Sequence, residues 1–239
     1  MVAPPQGKER ENESALSITE VRDSLISLIK QADRAGANAL LDAWAARHGY
    51  EPIFKQLLEP ALVVIGESLT GETYTLAQAY VAAKVAEDTL NKAIQQAGDR
   101  SKDQPRGQIV LGNAEGDFHG LGRRMVATML RANGWTVHDL GNDVTASEFV
   151  DKALETGTRV IGVSAMTMTT ALGVRQVRQE IDARGLTGRV QLAVGGAVFL
   201  SVPSLHEEVG GDGTSSSMFD APILIERLWN QSIQWENAR

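Results

Sequence analysis

The hydrophobic period of this chain changes once, near Gly107, and that change divides the fold into two unlike halves. Before it, apolar residues recur at the three-and-four spacing of amphipathic helices. Ser17-Ile18-Thr19-Glu20 fits a capping box, followed by Val21, Leu25, Leu28 and Ile29 on one helical face. An alanine-rich second helix is predicted from about Ala37 to Arg47, ending near Gly49. Pro52 suits the first turn of a third helix, which carries Ile53, Leu57, Leu58, Ala61, Val64 and Ile65 before Gly71 stops it. Thr75-Leu76-Ala77-Gln78 is a second capping-box pattern and opens a fourth helix with Val81, Val85 and Leu90. Residues 17–97 therefore read as a small antiparallel four-helix bundle. Residues 1–16, polar and Pro-containing, read as a disordered tail, and residues 98–106, polar and turn-rich, as a linker.

After Gly107, apolar β-rich runs at 108–112, 135–140, 159–163 and 189–194 alternate with helix-like segments at about 121–133, 146–156, 170–184 and 220–235. That alternation predicts parallel strands joined by right-handed crossovers, an open flavodoxin-like α/β sheet over residues 107–239. A fifth strand in 199–219 is expected to be short. In such a sheet the loops after Leu111, Val163 and Val194 share one edge, where open α/β sheets bind ligands.

Composition removes several classes of function. A net charge of -7 argues against a general nucleic-acid or anionic-membrane binder. There are no cysteines, so disulfides, thiolate metal sites and a cysteine nucleophile are excluded. A metal ligand must be a carboxylate or one of His48, His119, His138 and His206. No apolar run approaches the roughly 20 residues of a membrane span, and no secretory signal precedes the bundle, so a cytoplasmic location is the default.

The three sheet-edge loops carry the chemical candidates. Gly116-Asp117-Phe118-His119-Gly120-Leu121-Gly122 is a strand-to-helix turn with a carboxylate two residues before a histidine. Such a histidine can ligate a metal while the carboxylate holds its second ring nitrogen; the turn is equally an ordinary glycine-rich one with an exposed histidine. In Ser164-Ala165-Met166-Thr167-Met168-Thr169-Thr170 the hydroxyls suit either a polar ligand tail or the cap of the next helix. Gly195-Gly196 lets a backbone approach a bulky planar group, or makes a turn.

With 41 residues between Gly122 and Ser164 and 28 between Met166 and Gly195, the set resembles the cobalamin-binding module of methionine synthase, of base-off mutases and of the small corrinoid proteins of methanol and methylamine methyltransferase systems. Upstream, Pro60 to Lys84, above all Ile65 to Tyr74, is similar to the helical cap domain before that module. The resemblance implies His119 as the lower axial ligand to cobalt, in place of the cofactor's own dimethylbenzimidazole, with Asp117 hydrogen-bonded to it. It implies Ser164 against the displaced nucleotide base, with Thr167 and Thr169 beside it. Gly120, Gly122, Gly195 and Gly196 then lie at the cofactor, and Met166 stands where the family usually has Leu, a volume-conserving change.

The implied function is a corrinoid methyl carrier using methylcobalamin and its Co(I) form. It would work between a substrate-specific methyltransferase and an acceptor methyltransferase, with a cap that shields the metal and swings aside; a homodimer is compatible. No residue reads as an independent substrate site, so the chain reads as a corrinoid subunit with no catalytic residue of its own. The rival is a cobalamin-dependent sensor. Light-responsive relatives carry a DNA-binding domain in front and a Glu-His in the bundle, where this chain reads Ala77-Gln78-Ala79-Tyr80. A flavin or nucleotide binder using Gly112, Gly116, Gly120 and Gly122 is the weakest reading, because no proper Gly-x-Gly-x-x-Gly is present. Arg123-Arg124 reads as an exposed charged face, His138 and His206 as structural histidines, and Asp212-Gly213 with Ser215 to Ser217 as a loop near the cofactor's nucleotide end.

Overall fold

The computed structural model describes residues 17–69, 75–97 and 106–238. The expected tail at 1–16, residues 98–105 of the expected linker and residues 70–74 of the cap motif lie outside the described residues. Contacts divide the chain into two compact units, the first ending at Ala93 and the second beginning at Ile94.

In the first unit, α1 (Ile18–Lys30) starts at the capping box that its sequence encodes: Ser17 N donates to the Glu20 carboxylate at 2.7 Å, and Glu20 N donates to Ser17 Oγ at 3.3 Å. α2 (Arg34–His48) ends at Gly49, whose φ of 78° suits a residue without a side chain. The third helix of the sequence reading is three contiguous segments: α3 (Glu51–Ile53), a π-helical stretch (Phe54–Leu58) and α4 (Glu59–Leu69). Pro60, in the turn after the π-helical stretch, offers no N–H and crowds the carbonyl four residues back, which favours the wider i→i+5 turn before it. α5 (Leu76–Ala97) opens on the Thr75/Gln78 capping box. Leu25, Ile29, Leu41, Ile53, Leu57, Leu58 and Val85 are buried, and Arg34–Asp88 and Lys92–Asp42 pair at 2.7 Å between α2 and α5.

The second unit is a five-stranded parallel sheet in the order β2-β1-β3-β4-β5. Its strands are β1 (Gly107–Asn113), β2 (Trp135–Asp139), β3 (Val160–Ser164), β4 (Gln191–Gly195) and β5 (Gly213–Thr214). Between them run α6 (Gly120–Ala132), α7 (Ala146–Thr156), α8 (Met168–Gly173), α9 (Arg175–Ala183), α10 (Ala197–Ser201) and α11 (Leu205–Glu208), and α12 (Ala221–Asn237) follows. The fifth strand is two residues long, and the single helix expected over 170–184 is split at Val174.

Both faces of the central strands are buried, which explains their unbroken apolar runs. Val110, Ile161 and Leu192 pack with Phe149 of α7 and with Val177 and Ile181 of α9. Their neighbours Ile109, Val160 and Ala193 face the other way, with Leu130, Trp135, Ile225 and Leu228. Each large aliphatic side chain taken out of water this way contributes about 1.5–3 kcal/mol. Trp135 and Trp229 meet edge to face at 5.5 Å on the second face.

The candidate site at the switch point of the sheet

Chain order reverses between β1 and β3, and in an open α/β sheet the ligand crevice lies outside the carboxyl ends of the strands at that point. The strand register sets Asn113, Ser164 and Gly195 side by side on β1, β3 and β4. The three loops singled out in the sequence therefore leave the sheet at one level of one edge.

Asp117 is the hub of this edge, 1% exposed. Its Oδ1 accepts from the His119 amide at 2.8 Å, from His119 Nδ1 at 3.1 Å and from Asn113 Nδ2 at 3.2 Å. Its Oδ2 accepts from the Met166 amide at 2.6 Å and from Thr170 Oγ1 at 3.2 Å. Burial pushes the carboxyl's pKa up, but the His119 and Met166 amides, the His119 ring and Asn113 outweigh it, and the net shift is downward. Asp117 is thus a carboxylate, and a carboxylate on Nδ1 selects the tautomer with its proton there.

His119 itself is 62% exposed on its side chain, and its Nε2 lone pair has no protein partner among the described residues. It stands just ahead of α6, in the loop that Gly116 and Asp143 pin: the Gly116 amide donates to Asp143 Oδ1 at 2.8 Å, and the Asp143 amide donates to Asp117 O at 3.1 Å. No group of three or more His, Asp or Glu side chains that could hold a metal exists among the described residues. The fit is to a metal that brings its other ligands and takes a single nitrogen from the protein. Exposed Phe118, Met166 and Met168 in these loops suit the apolar underside of a macrocycle.

The glycines divide into two kinds. A Cβ added at Gly122 or Gly195 meets nothing within 4 Å, so both border open space. At Gly196 φ is +111° and a Cβ would lie 2.0 Å from Ala165 O, so backbone packing alone demands glycine there. A Cβ on Gly120 would crowd Asn142 Oδ1 at 2.6 Å. Thr167 caps α8, its Oγ1 accepting from the Thr170 amide at 3.3 Å, the cap alternative raised for that loop. Thr169 is exposed, and Ser164 is half-buried with its carbonyl accepting from the Ala114 amide at 2.9 Å.

Arg123 requires a correction: it is 6% exposed, not part of a charged surface. It pairs with Asp139, and its Nε donates to Asn113 Oδ1 at 2.9 Å. A sequence shows two adjacent arginines at a helix start; only the fold shows that the first points inward. Asn113 and Thr170 were also missed as partners of Asp117, although Thr170 lies in the hydroxyl-rich loop that drew notice. His138 bonds Gln108 Oε1 at 2.7 Å and His206 Nδ1 bonds Pro203 O at 2.6 Å, as structural histidines do. The Asp212 carboxylate accepts the Leu192 amide at 2.6 Å, and Ser216 and Ser217 donate to Asp220.

A B12-binding-domain family model matches residues 107–223, the span of this flavodoxin-like sheet and of the Asp117–His119 loop at its switch point. Similarity extends beyond that domain. Dimethylamine corrinoid protein 2 of Methanosarcina mazei is 33% identical over 88% of this chain and 96% of its own length. Dimethylamine corrinoid protein 1 of the same organism is 34% identical over 73% of this chain and 84% of its own. The solved structure of the Methanosarcina barkeri monomethylamine corrinoid protein superposes with a TM-score of 0.79 at 26% identity, covering 88% of this chain and all of that one. The chain belongs to the corrinoid proteins. No helix among the described residues is long and apolar enough to cross a membrane.

Proposed function

We propose that this chain is a methyl-carrying corrinoid protein that holds its cofactor base-off, with His119 Nε2 as the lower ligand, and serves a substrate methyltransferase and an acceptor methyltransferase in turn. The observation that carries the reading is the pairing of a buried carboxylate on Nδ1 of a largely exposed His119 with an Nε2 that has no protein partner among the described residues, at the sheet's switch point. Membership of the corrinoid proteins supports the carrier role.

The bound corrinoid supplies a cobalt that accepts and releases a methyl group; the protein's part is to hold and tune it. Asp117 keeps the proton on Nδ1, orients the ring and raises its basicity. The Met166 amide and Thr170 hydroxyl fix the carboxylate from the β3 loop, so the β1 and β3 loops position the ligand together. Open space at Gly122 and Gly195 receives the corrin tail and its displaced base beside Ser164. Gly120, Thr167, Thr169 and Gly196 shape the loops around that space.

The test is reconstitution with hydroxocobalamin. Wild type should give a base-off, histidine-ligated visible spectrum, and the reduced Co(II) form should show nitrogen hyperfine splitting from His119. His119→Ala should lose both. Absence of corrinoid binding, or a spectrum indifferent to the substitution, would sink the ligand reading. Transfer of labelled methyl through the loaded protein, dependent on two added methyltransferases, tests the carrier role; a bound corrinoid that never takes up the label would refute it.

A further inference from the structure

Two charged side chains are buried among the described residues, Asp117 at 1% and Arg123 at 6% exposure, and one fully buried amide, Asn113, joins them. Arg123 Nε donates to Asn113 Oδ1 at 2.9 Å, and Asn113 Nδ2 donates to Asp117 Oδ1 at 3.2 Å. That same oxygen accepts His119 Nδ1 at 3.1 Å. The other side of the guanidinium pairs with Asp139 and reaches Asn142 Oδ1 at 3.3 Å. A continuous row of donors and acceptors thus runs from α6 through the end of β1 to the histidine.

The guanidinium fixes which way the Asn113 amide points. Reversed, the amide would set N–H against N–H at Arg123 and oxygen against oxygen at Asp117. Burying a guanidinium is costly, and partners that satisfy it must be in place. Here one partner hands the positive charge's influence on to the carboxylate. In a buried network each hydrogen bond polarises the next. Asp117 Oδ1 divides its negative charge among three donors, so a stronger pull from the Asn113 side leaves less for Nδ1.

We infer that Arg123, acting through Asn113, restrains the pull of Asp117 on His119 and so sets how strongly that histidine donates to the cobalt of a bound corrinoid. Arg123 is a positioning residue in this scheme, and the inference rests on His119 being the lower ligand. A restrained donor eases reduction of the metal, because the reduced state holds axial ligands least.

Two readouts test it, one without cofactor. In the apo-protein, nitrogen-15 NMR of the histidine rings reports the charge on His119 nitrogens; in the reconstituted protein, a redox titration reports the Co(II)/Co(I) ratio. Arg123→Gln and Asn113→Ala should each raise the Co(II)-to-Co(I) ratio at fixed potential by about threefold, a fraction of one charge-assisted hydrogen bond. Both should move the His119 nitrogen resonances in the same direction, and the double variant should add nothing further. Asp139→Asn, which breaks the other side of the guanidinium's pairing, should lower the melting temperature without reproducing these shifts. If Arg123→Gln folds with both readouts at wild-type values, or if Asp139→Asn reproduces them, the inference is overturned. Should Arg123→Gln not fold, Asn113→Ala, which retains the Arg123–Asp139 pair, carries the same decision. A spectrum unaltered by His119→Ala would remove the ligand reading itself, a separate failure.

Discussion

Asp117 is asked to accept five hydrogen bonds with two oxygens, and an amide in its place can accept on only one of them. Asp117→Asn therefore sets an N–H₂ group against either the Met166 amide or the His119 amide and ring. The expected loss is about 1–3 kcal/mol of stability, the cost of a buried donor left facing a donor, measured by urea unfolding at neutral pH. The same carboxylate makes stability pH-dependent. Its pKa is depressed in the folded state, so its contribution is present above the ordinary aspartate pKa and is lost as pH falls through the lower, folded value. Unfolding free energy should thus fall as the solution is acidified below the ordinary aspartate range, and Asp117→Asn should flatten that fall; an equal acid slope in the variant would show that other carboxylates set it. At this scale the sequence revealed the loop but not its wiring. Asp117 and His119 drew notice through the spacing of their turn to Ser164 and to Gly195-Gly196, because the turn by itself is equally an ordinary glycine-rich one. Asn113 did not, because it is the last residue of an apolar strand, and Arg123 did not, because charge in sequence carries no sign of burial.

At the scale of elements, the glycine pair after β4 separates packing from binding within two residues. Gly196→Ala forces a Cβ to within 2.0 Å of Ala165 O at a φ of +111°, so the β3 and β4 loops must part. Strain of that backbone region costs about 1–3 kcal/mol before the overlap is counted, and the variant should be destabilised by at least that much in thermal unfolding. Gly195→Ala meets nothing within 4 Å and should melt like wild type. Its methyl enters the space proposed for the cofactor, so corrinoid affinity should fall about tenfold or more, read by titration of the visible spectrum. Unchanged affinity in Gly195→Ala would move the cofactor away from β4. The elements themselves were largely legible: strands buried on both faces read as apolar runs, and capping boxes marked the starts of α1 and α5. What escaped was interruption within an element. The fifth strand, expected to be short, has two residues, but the π-helical turn before Pro60 keeps helical spacing on both sides and left no sign in the pattern.

At the scale of the whole molecule, the unit beginning at Ile94 contains every side chain so far placed at the site, and its two cores lie on the two faces of one sheet. A ligand held at the carboxyl edge of that sheet binds only where β1, β3 and β4 are in register, since Asn113, Ser164 and Gly195 align through those pairings. Binding must therefore stabilise this unit by mass action: at 100 times the dissociation constant, the gain is about 2.7 kcal/mol. The tryptophans let that gain be assigned. Trp44 lies in the first unit, while Trp135 is buried in the second against Trp229. In a Trp44→Phe variant, the fluorescence transition reports the sheet, and its denaturant midpoint should rise with added hydroxocobalamin. The rise should drop to about half, roughly 1.4 kcal/mol for a tenfold loss of affinity, with Gly195→Ala at matched ligand concentration, and should also shrink with His119→Ala, which removes one ligand bond but keeps the cavity. A midpoint indifferent to the corrinoid would mean that the switch point is not where the cofactor is held.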